Sequence, residues 1–278
     1  EHCQKKLLVV APTGIAAVNA GGLTIHSYFQ FPSGVLDDAF FDKSMPTYSQ
    51  EKRRLIRELD VLVIDEISMV RADVIDGIDK VLRYYRKNDA VPFGGIQLIM
   101  LGDLYQLSPI VGDNDLSVIQ KRYASPFFFS ANAIKHLHYF VIEYTKIYRQ
   151  SDSNFINLLN AIRQNNCSEE ELAVLNSRCL PLVGNYNEYI FLTTHRLTAD
   201  TINKNSLGQL NSQMTTLSAI VEGEFPEGSD PAPRNLQLKV GARIIFLKND
   251  NSEKKEYFNG KAGIIDEIEE DKLKVKLS

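Results

Sequence analysis

A chain of 278 residues, 44% hydrophobic and 24% charged, is long enough for two packed domains and too apolar to be disordered. Its net charge of -4 excludes a globally basic nucleic-acid binder but leaves room for a local positive groove. It has no apolar run of about 18 residues to span a bilayer and no apolar core behind "EHCQKK" to act as a secretory signal; its three scattered cysteines, Cys3, Cys167 and Cys179, offer neither a disulfide framework nor a zinc site and fit a reducing, cytoplasmic compartment.

In chain order, "KKLLVVAPTG" (5–14) predicts a buried strand ending in a Pro-Thr-Gly loop, and "IAAVNAGG" a short small-residue helix stopped by Gly21 and Gly22. "LTIHSYFQF" predicts one or two helical turns capped by Thr24. Residues 31–50 carry prolines, glycine and phenylalanines without a clean period and are too long for a plain connection, so a small inserted subdomain is expected there. "QEKRRLIREL" (50–59) is an amphipathic helix and "VLVID" (61–65) a strand. In "ADVIDGIDKVLRYYRK" (72–87), Val74, Ile78, Val81, Leu82 and Tyr85 fall on one helical face.

"IQLIMLGD" (96–103) predicts another buried strand. A helix near "SANAIKHL" (130–137), a strand "YFVIEYT" (139–145) and two helices follow, "SDSNFINLLNAIRQ" (151–164) and "SEEELAVLNSRC" (168–179); the second opens with a capping box from Ser168 to Glu171. Strands separated by helices at this spacing predict a parallel α/β sheet for roughly residues 1–150. A second unit starts near there, with "YIFLTTHRLTADTINKNSL" (189–207) repeating strand then helix. From about Leu236, "LQLKVGARIIFL", "GKAGIIDEI" and "KLKVKLS" predict hairpins or a small barrel.

The chemistry concentrates at strand ends. In "VLVIDEISMV" (61–70) a buried strand delivers Asp65 and Glu66 to its C-terminal edge, where phosphates and magnesium sit in nucleotide-hydrolysing folds. One such carboxylate holds the metal while its neighbour polarises the attacking water; alone, the pair equally fits a buried strand with an acidic exit. In "LGDLYQLSP" (101–109), Gln106 follows Gly102-Asp103, and its amide either bonds a γ-phosphate with its attacking water or is merely solvated. Arg149, in "YTKIYRQSDSNF" (144–155), either reaches a γ-phosphate across a cleft or forms a surface ion pair. The Pro-Thr-Gly loop offers N–H groups and a hydroxyl to phosphate oxygens. His26 either joins it or packs a helix, and Phe29 and Phe31 either stack bases or fill core. The phosphate loop G-x-x-x-x-G-K-[ST] has no match; "NGKAG" (259–263) is nearest.

In order and spacing, "VVAPTGIAAVNAGGLTIHSYFQFP", "VLVIDEISMV", "LGDLYQLSP" and "IYRQSDSNFINLLNAIR" resemble the superfamily-one DNA helicases of the petite-integration-frequency (PIF) type, relatives of the RecD helicases, and the resemblance covers nearly the whole chain. "LKVGARIIFLKND" and "FNGKAGII" resemble the family's later segment leading into an SH3-like insert. The resemblance implies a first RecA-like domain in residues 1–149, lacking its first strand and phosphate loop and carrying the insertion at 31–50. Residues 150–278 would then begin a second RecA-like domain, β-rich and SH3-like from about 236. It also implies Asp65 on magnesium, Glu66 activating water, Gln106 sensing the γ-phosphate and Arg149 contacting it, with Pro12, Thr13, His26 and Ser27 along the single-stranded DNA backbone.

The implied cofactors are ATP and Mg2+; the implied partners are single-stranded and forked duplex DNA, with no membrane, and the implied state is a monomer. The resemblance would place the family's phosphate loop before "KKLLVV" and its late "SQG" turn and final "SR" arginine after "KVKLS", and these are absent. An internal fragment, inactive in ATP hydrolysis when isolated, is therefore expected. Two other readings stand beside it: a non-catalytic module binding single-stranded nucleic acid, and an ATPase of the same sheet family acting on protein.

Overall fold

In the computed structural model the apolar stretches of the first half become parallel strands. The structure describes residues 5–32, 34–43, 45–180, 189–220, 232–247, 250, 252, 256–258, 260–269 and 272–277. Cys3, Asn259 and the ends of several quoted stretches lie outside them. The chain divides into two compact units, Glu1–Asn176 and Ser177–Ser278.

β1 (Leu7–Ala11) leads through Thr13, whose hydroxyl accepts from the Ala16 amide at 3.3 Å, into α1 (Gly14–Asn19). Gly21, at φ +66°, turns the chain back into β2 (Leu23–Thr24), a two-residue strand parallel to β1 that the capping signal at Thr24 concealed. Between them Gly22 presses on β1: a Cβ there would lie 2.3 Å from the Val9 carbonyl oxygen. Gly22→Ala is therefore expected to destabilise the unit by about 1–3 kcal/mol, as overpacking does, read as a lower urea midpoint; an unchanged midpoint would contradict so close an approach.

Thr24 caps α2 (Ile25–Phe29) by accepting from the Ser27 amide at 3.3 Å. The following segment contains α3 (Asp38–Lys43), which has no buried residue. Phe31, Leu36 and Tyr48, on either side of α3, are buried in the same core as the sheet. Buried Asp73 accepts from the Leu36 amide at 2.8 Å and pairs with Arg71, which also donates to the Gly34 carbonyl. The expected insertion carries one short helix, α3, whose Phe40 and Phe41 pack against that core while Asp38, Ala39, Asp42 and Lys43 are exposed.

α4 (Gln50–Glu58) precedes β3 (Val61–Ile64), all four of whose residues are buried, and α5 (Ala72–Arg86) covers the sheet with Val74, Ile78, Val81, Leu82 and Tyr85 as predicted. Arg86 donates to the carbonyls of Ile56, Arg57 and Leu59 and so satisfies the end of α4. β4 (Gln97–Met100) completes the order β2-β1-β3-β4, every pair parallel. β4 is only half-buried where full burial was expected, because among the described residues it is paired on one side alone.

α6 (Asp113–Arg122) had no clear apolar period and escaped prediction. The expected helix at 130–137 is two single-turn 3-10 segments, Phe128–Ser130 and Ile134–His136. The expected strand at 139–145 does not form: no described strand pairs with it, and Phe140 is 97% exposed. A strand gains its stability from pairing, so an apolar run without a neighbour stays irregular. α7 (Ser153–Arg163), capped by Asp152, and α8 (Glu169–Asn176) follow as predicted. In the capping box the Ser168 amide donates to Glu171 at 2.8 Å and the Glu171 amide to Ser168 Oγ at 3.2 Å.

In the second unit the strand expected at 189–193 is likewise absent from the described residues, whereas α9 (Arg196–Gln209) forms. β5 (Thr215–Ser218), which was not predicted, pairs antiparallel with β6 (Asn235–Leu238). β7 (Arg243–Ile245), β8 (Ala262–Ile268) and β9 (Leu273–Leu277) form an antiparallel meander. Leu238 of β6, with Ala242 and Ile265, makes a small core. Among the described residues no helix is long and apolar enough to cross a membrane.

Candidate active site

Because the four strands are parallel, their C-terminal ends share one edge, the edge at which open α/β sheets bind ligands. β3 leaves the sheet into half-buried Asp65 and Glu66. Their turn is held on both sides: the Asp65 amide donates to the Val10 carbonyl of β1, and the Ile67 amide to the Leu101 carbonyl after β4, each at 2.8 Å. Glu66 stands at φ +50°, a left-handed conformation uncommon outside glycine, and its amide donates to Asp65 Oδ1 at 3.0 Å. Such conformations persist where the surroundings over-determine them, as at functional sites.

Gly102 brings the next loop against this turn. A Cβ at Gly102 would sit 2.9 Å from Ile67 Cγ2 and 3.0 Å from the Ile67 nitrogen, so a larger residue would push the two loops apart. Asp103 then organises the loop, accepting from the Tyr105 amide at 3.0 Å and from Gln106 Nε2 at 3.1 Å. It also accepts from Arg163 at the end of α7, whose guanidinium lies 4.9 Å from the Tyr105 ring centre. Burial pushes the Asp103 carboxyl up, but Arg163 and the Tyr105 and Gln106 donors outweigh it and hold the group below the usual carboxylate range.

On the other half of the edge, Pro12 and Thr13 are half-buried between β1 and α1, and His26 and Ser27 are exposed in the first turn of α2. The His26 ring meets Phe31 edge-on, with centroids 6.4 Å apart. Desolvation of the ring, then the positive charge of Arg71, lower its pKa against the opposing pull of Asp73. Phe29 and Phe31 are 0% and 7% exposed, which makes them core and not a stacking platform.

The structure thus brings Asp65 and Glu66 beside the loop of Gln106 and sets Pro12, Thr13, His26 and Ser27 along the same edge. Arg149 is exposed and joined to none of them by hydrogen bond or ion pair. Sequence reasoning missed Arg163 as the partner of Asp103: the Gly-Asp pair marked the loop, but a partner 60 residues away leaves no local signal.

No group of three or more His, Cys, Asp or Glu that could hold a metal occurs among the described residues. Magnesium in nucleotide sites keeps several waters and takes one or two carboxylates plus phosphate oxygens. Asp65 beside Glu66 fits that donor set.

A family model described as PIF1-like helicase matches residues 2–173. The chain is similar to the ATP-dependent DNA helicase PIF1 of Saccharomyces cerevisiae (strain YJM789), with 33% identity over 257 residues, 88% of this chain and 29% of the yeast protein. Among solved structures it is similar to Pif1 helicase from Bacteroides in complex with ADP-AlF3 and single-stranded DNA, with a TM-score of 0.84 and 37% identity over 100% of this chain and 64% of that one. A structure of DNA unwinding at forked double-stranded DNA by two coordinating Pif1 helicases matches with a TM-score of 0.87 and 38% identity, over 99% of this chain and 64% of that one. The chain therefore spans less than a third of the yeast relative and less than two thirds of these solved neighbours.

Proposed function

This chain belongs to the PIF1-like helicase family, and we propose that it acts within an ATP-dependent DNA helicase that translocates on single-stranded DNA and unwinds forked duplexes. The observation that carries the proposal is the shared sheet edge: Asp65, Glu66 and the Gln106 loop stand at one part of it, and the Pro12–Thr13 and His26–Ser27 loops at the other. A nucleotide site and a DNA-backbone site on one rigid sheet are what coupling hydrolysis to movement needs.

In this reading Asp65 holds Mg2+, which when bound supplies charge stabilisation to the phosphates. Glu66 accepts a proton from the attacking water, Gln106 orients that water, and Arg149 meets the γ-phosphate once ATP closes the cleft. Pro12, Thr13, His26 and Ser27 contact the DNA backbone. Residues 1–149 act as the first RecA-like domain and 150–278 begin the second, with the β-rich part an SH3-like insert. No phosphate loop occurs among the 278 residues, so in this reading none of the named residues grips the β-phosphate. The free cysteines Cys167 and Cys179 are consistent with a cytoplasmic setting.

The test is strand displacement on a forked duplex by the full-length protein with ATP and Mg2+. Tight, ATP-independent binding to single-stranded DNA without displacement or hydrolysis would favour the non-catalytic module instead. A second arm concerns the 31–50 excursion, proposed to help part the strands. Excising it whole would remove Phe31, Leu36 and Tyr48 from the core, and deleting α3 would strip away Phe40 and Phe41, which pack against it, so only the exposed α3 residues Ala39, Asp42 and Lys43 are replaced, by Gly or Ser. Displacement is expected to fall far more than DNA-stimulated hydrolysis; equal loss of both would remove α3 from strand parting.

A further inference from the structure

Asp103 and Arg163 meet as a fork. Arg163 Nη2 lies 3.0 Å from Oδ1, and Nε lies 3.2 Å from Oδ1 and 3.0 Å from Oδ2. The Tyr105 ring lies under the guanidinium. A planar fork of this kind fixes a carboxylate in orientation as well as position. The same carboxylate takes the side-chain amide of Gln106 on Oδ2 at 3.1 Å. An ionised carboxylate only accepts, so the face of the amide turned towards Asp103 is its NH2. The carbonyl oxygen of Gln106 is left pointing away, free to accept.

That polarity bears on chemistry. A water attacking a phosphorus donates hydrogens to its surroundings, and an amide presented oxygen-first receives one of them. Presented nitrogen-first, it would compete for the water's lone pair. A glutamine on an exposed loop has no intrinsic preference between the two; the charge at Asp103 supplies it.

We propose that Arg163 is a positioning residue for hydrolysis: through Asp103 it locks the Gln106 amide with its oxygen towards the attacking water. The inference rests on the reading of Gln106 given above. The competing view is an ordinary surface ion pair. Arg163 and Asp103 side chains are 39% and 21% exposed, and pairs so open to solvent contribute little to folding. A structural role and a positioning role therefore separate experimentally.

The experiment measures DNA-stimulated ATP hydrolysis by the full-length protein carrying Arg163→Ala, Arg163→Lys, Gln106→Ala or Arg163→Ala with Gln106→Ala. Arg163→Ala is expected to lower kcat about ten- to a hundredfold, the scale that misplacing a reacting group costs, with KM for ATP and the melting temperature nearly unchanged. Lysine restores the charge without the fork and should recover the rate in part. The double variant should be no slower than Gln106→Ala alone, because Arg163 acts through that side chain. Multiplying losses, a KM effect in place of a kcat effect, or a wild-type rate in Arg163→Ala would each overturn the proposal. If Arg163→Ala fails to fold, Arg163→Lys alone and in the Gln106→Ala background carries the same comparison. A Gln106→Ala protein with wild-type turnover would instead remove the site reading itself, and this inference with it.

Discussion

Glu66→Gln in the full-length protein is expected to slow ATP hydrolysis by about 10²- to 10⁴-fold, the contribution of a positioned general base, while leaving nucleotide affinity nearly intact. The isosteric amide keeps the shape of the side chain, and the turn that presents it is fixed by backbone bonds to β1 and to the end of β4 that the substitution does not touch. What is lost is the capacity to accept the water's proton. Asp65→Ala makes the contrast: it should weaken magnesium-dependent nucleotide binding, since it removes the carboxylate assigned to the metal. Titration with a fluorescent nucleotide and steady-state turnover, run on both variants, separate the two roles. A Glu66→Gln protein that retains its rate would take Glu66 out of the mechanism.

The second large effect concerns the 278 residues as an isolated polypeptide, which should release no phosphate from ATP even with Mg2+ and single-stranded DNA supplied. In the proposed reading Asp65, Glu66, Gln106 and Arg149 address the metal, the water and the γ-phosphate. None of them grips the β-phosphate, a task that a phosphate loop performs with a row of backbone amides and a lysine. No such loop occurs in the sequence. The triphosphate is then neither held nor placed in line with the water, and a misaligned reactant forfeits most of what orientation contributes to the rate. The measurement is phosphate release by this polypeptide beside the full-length protein. Turnover by the short chain that rises with DNA and vanishes in Glu66→Gln would require a different phosphate site within these residues.

In the proposed reading His26 lies on the DNA-facing part of the same edge. Its pKa lies below the usual imidazole value, so acidification through the pH range below that value charges it only late.

Much of the site was legible because its parts are short and local. Apolar runs ending in "APTG", "DE" and "GD" announce strands that deliver polar groups to one edge, and the caps at Thr24, Asp152 and Ser168 follow from a few adjacent residues. A parallel sheet needs no more than such runs with helices between them. Residue identity and spacing thus determined the fold class, the main helices and the candidate carboxylates and amide.

Only the tertiary structure decided what depended on partners distant in the chain. The apolar runs at 139–145 and 189–193 satisfy every local criterion for strands yet have no described neighbour to pair with. β2 exists because β1 lies beside it and Gly22 permits the approach. Phe29 and Phe31, equally suited to bases or to core, are buried by α5 and the sheet. The Gln106 amide donates to Asp103 three residues away, but the fork that holds this carboxylate comes from Arg163 at the far end of α7. Helix periodicity and capping are written in neighbouring residues, whereas strand pairing, burial and the orientation of an exposed amide are properties of which surfaces meet, and those are fixed only when the chain is packed.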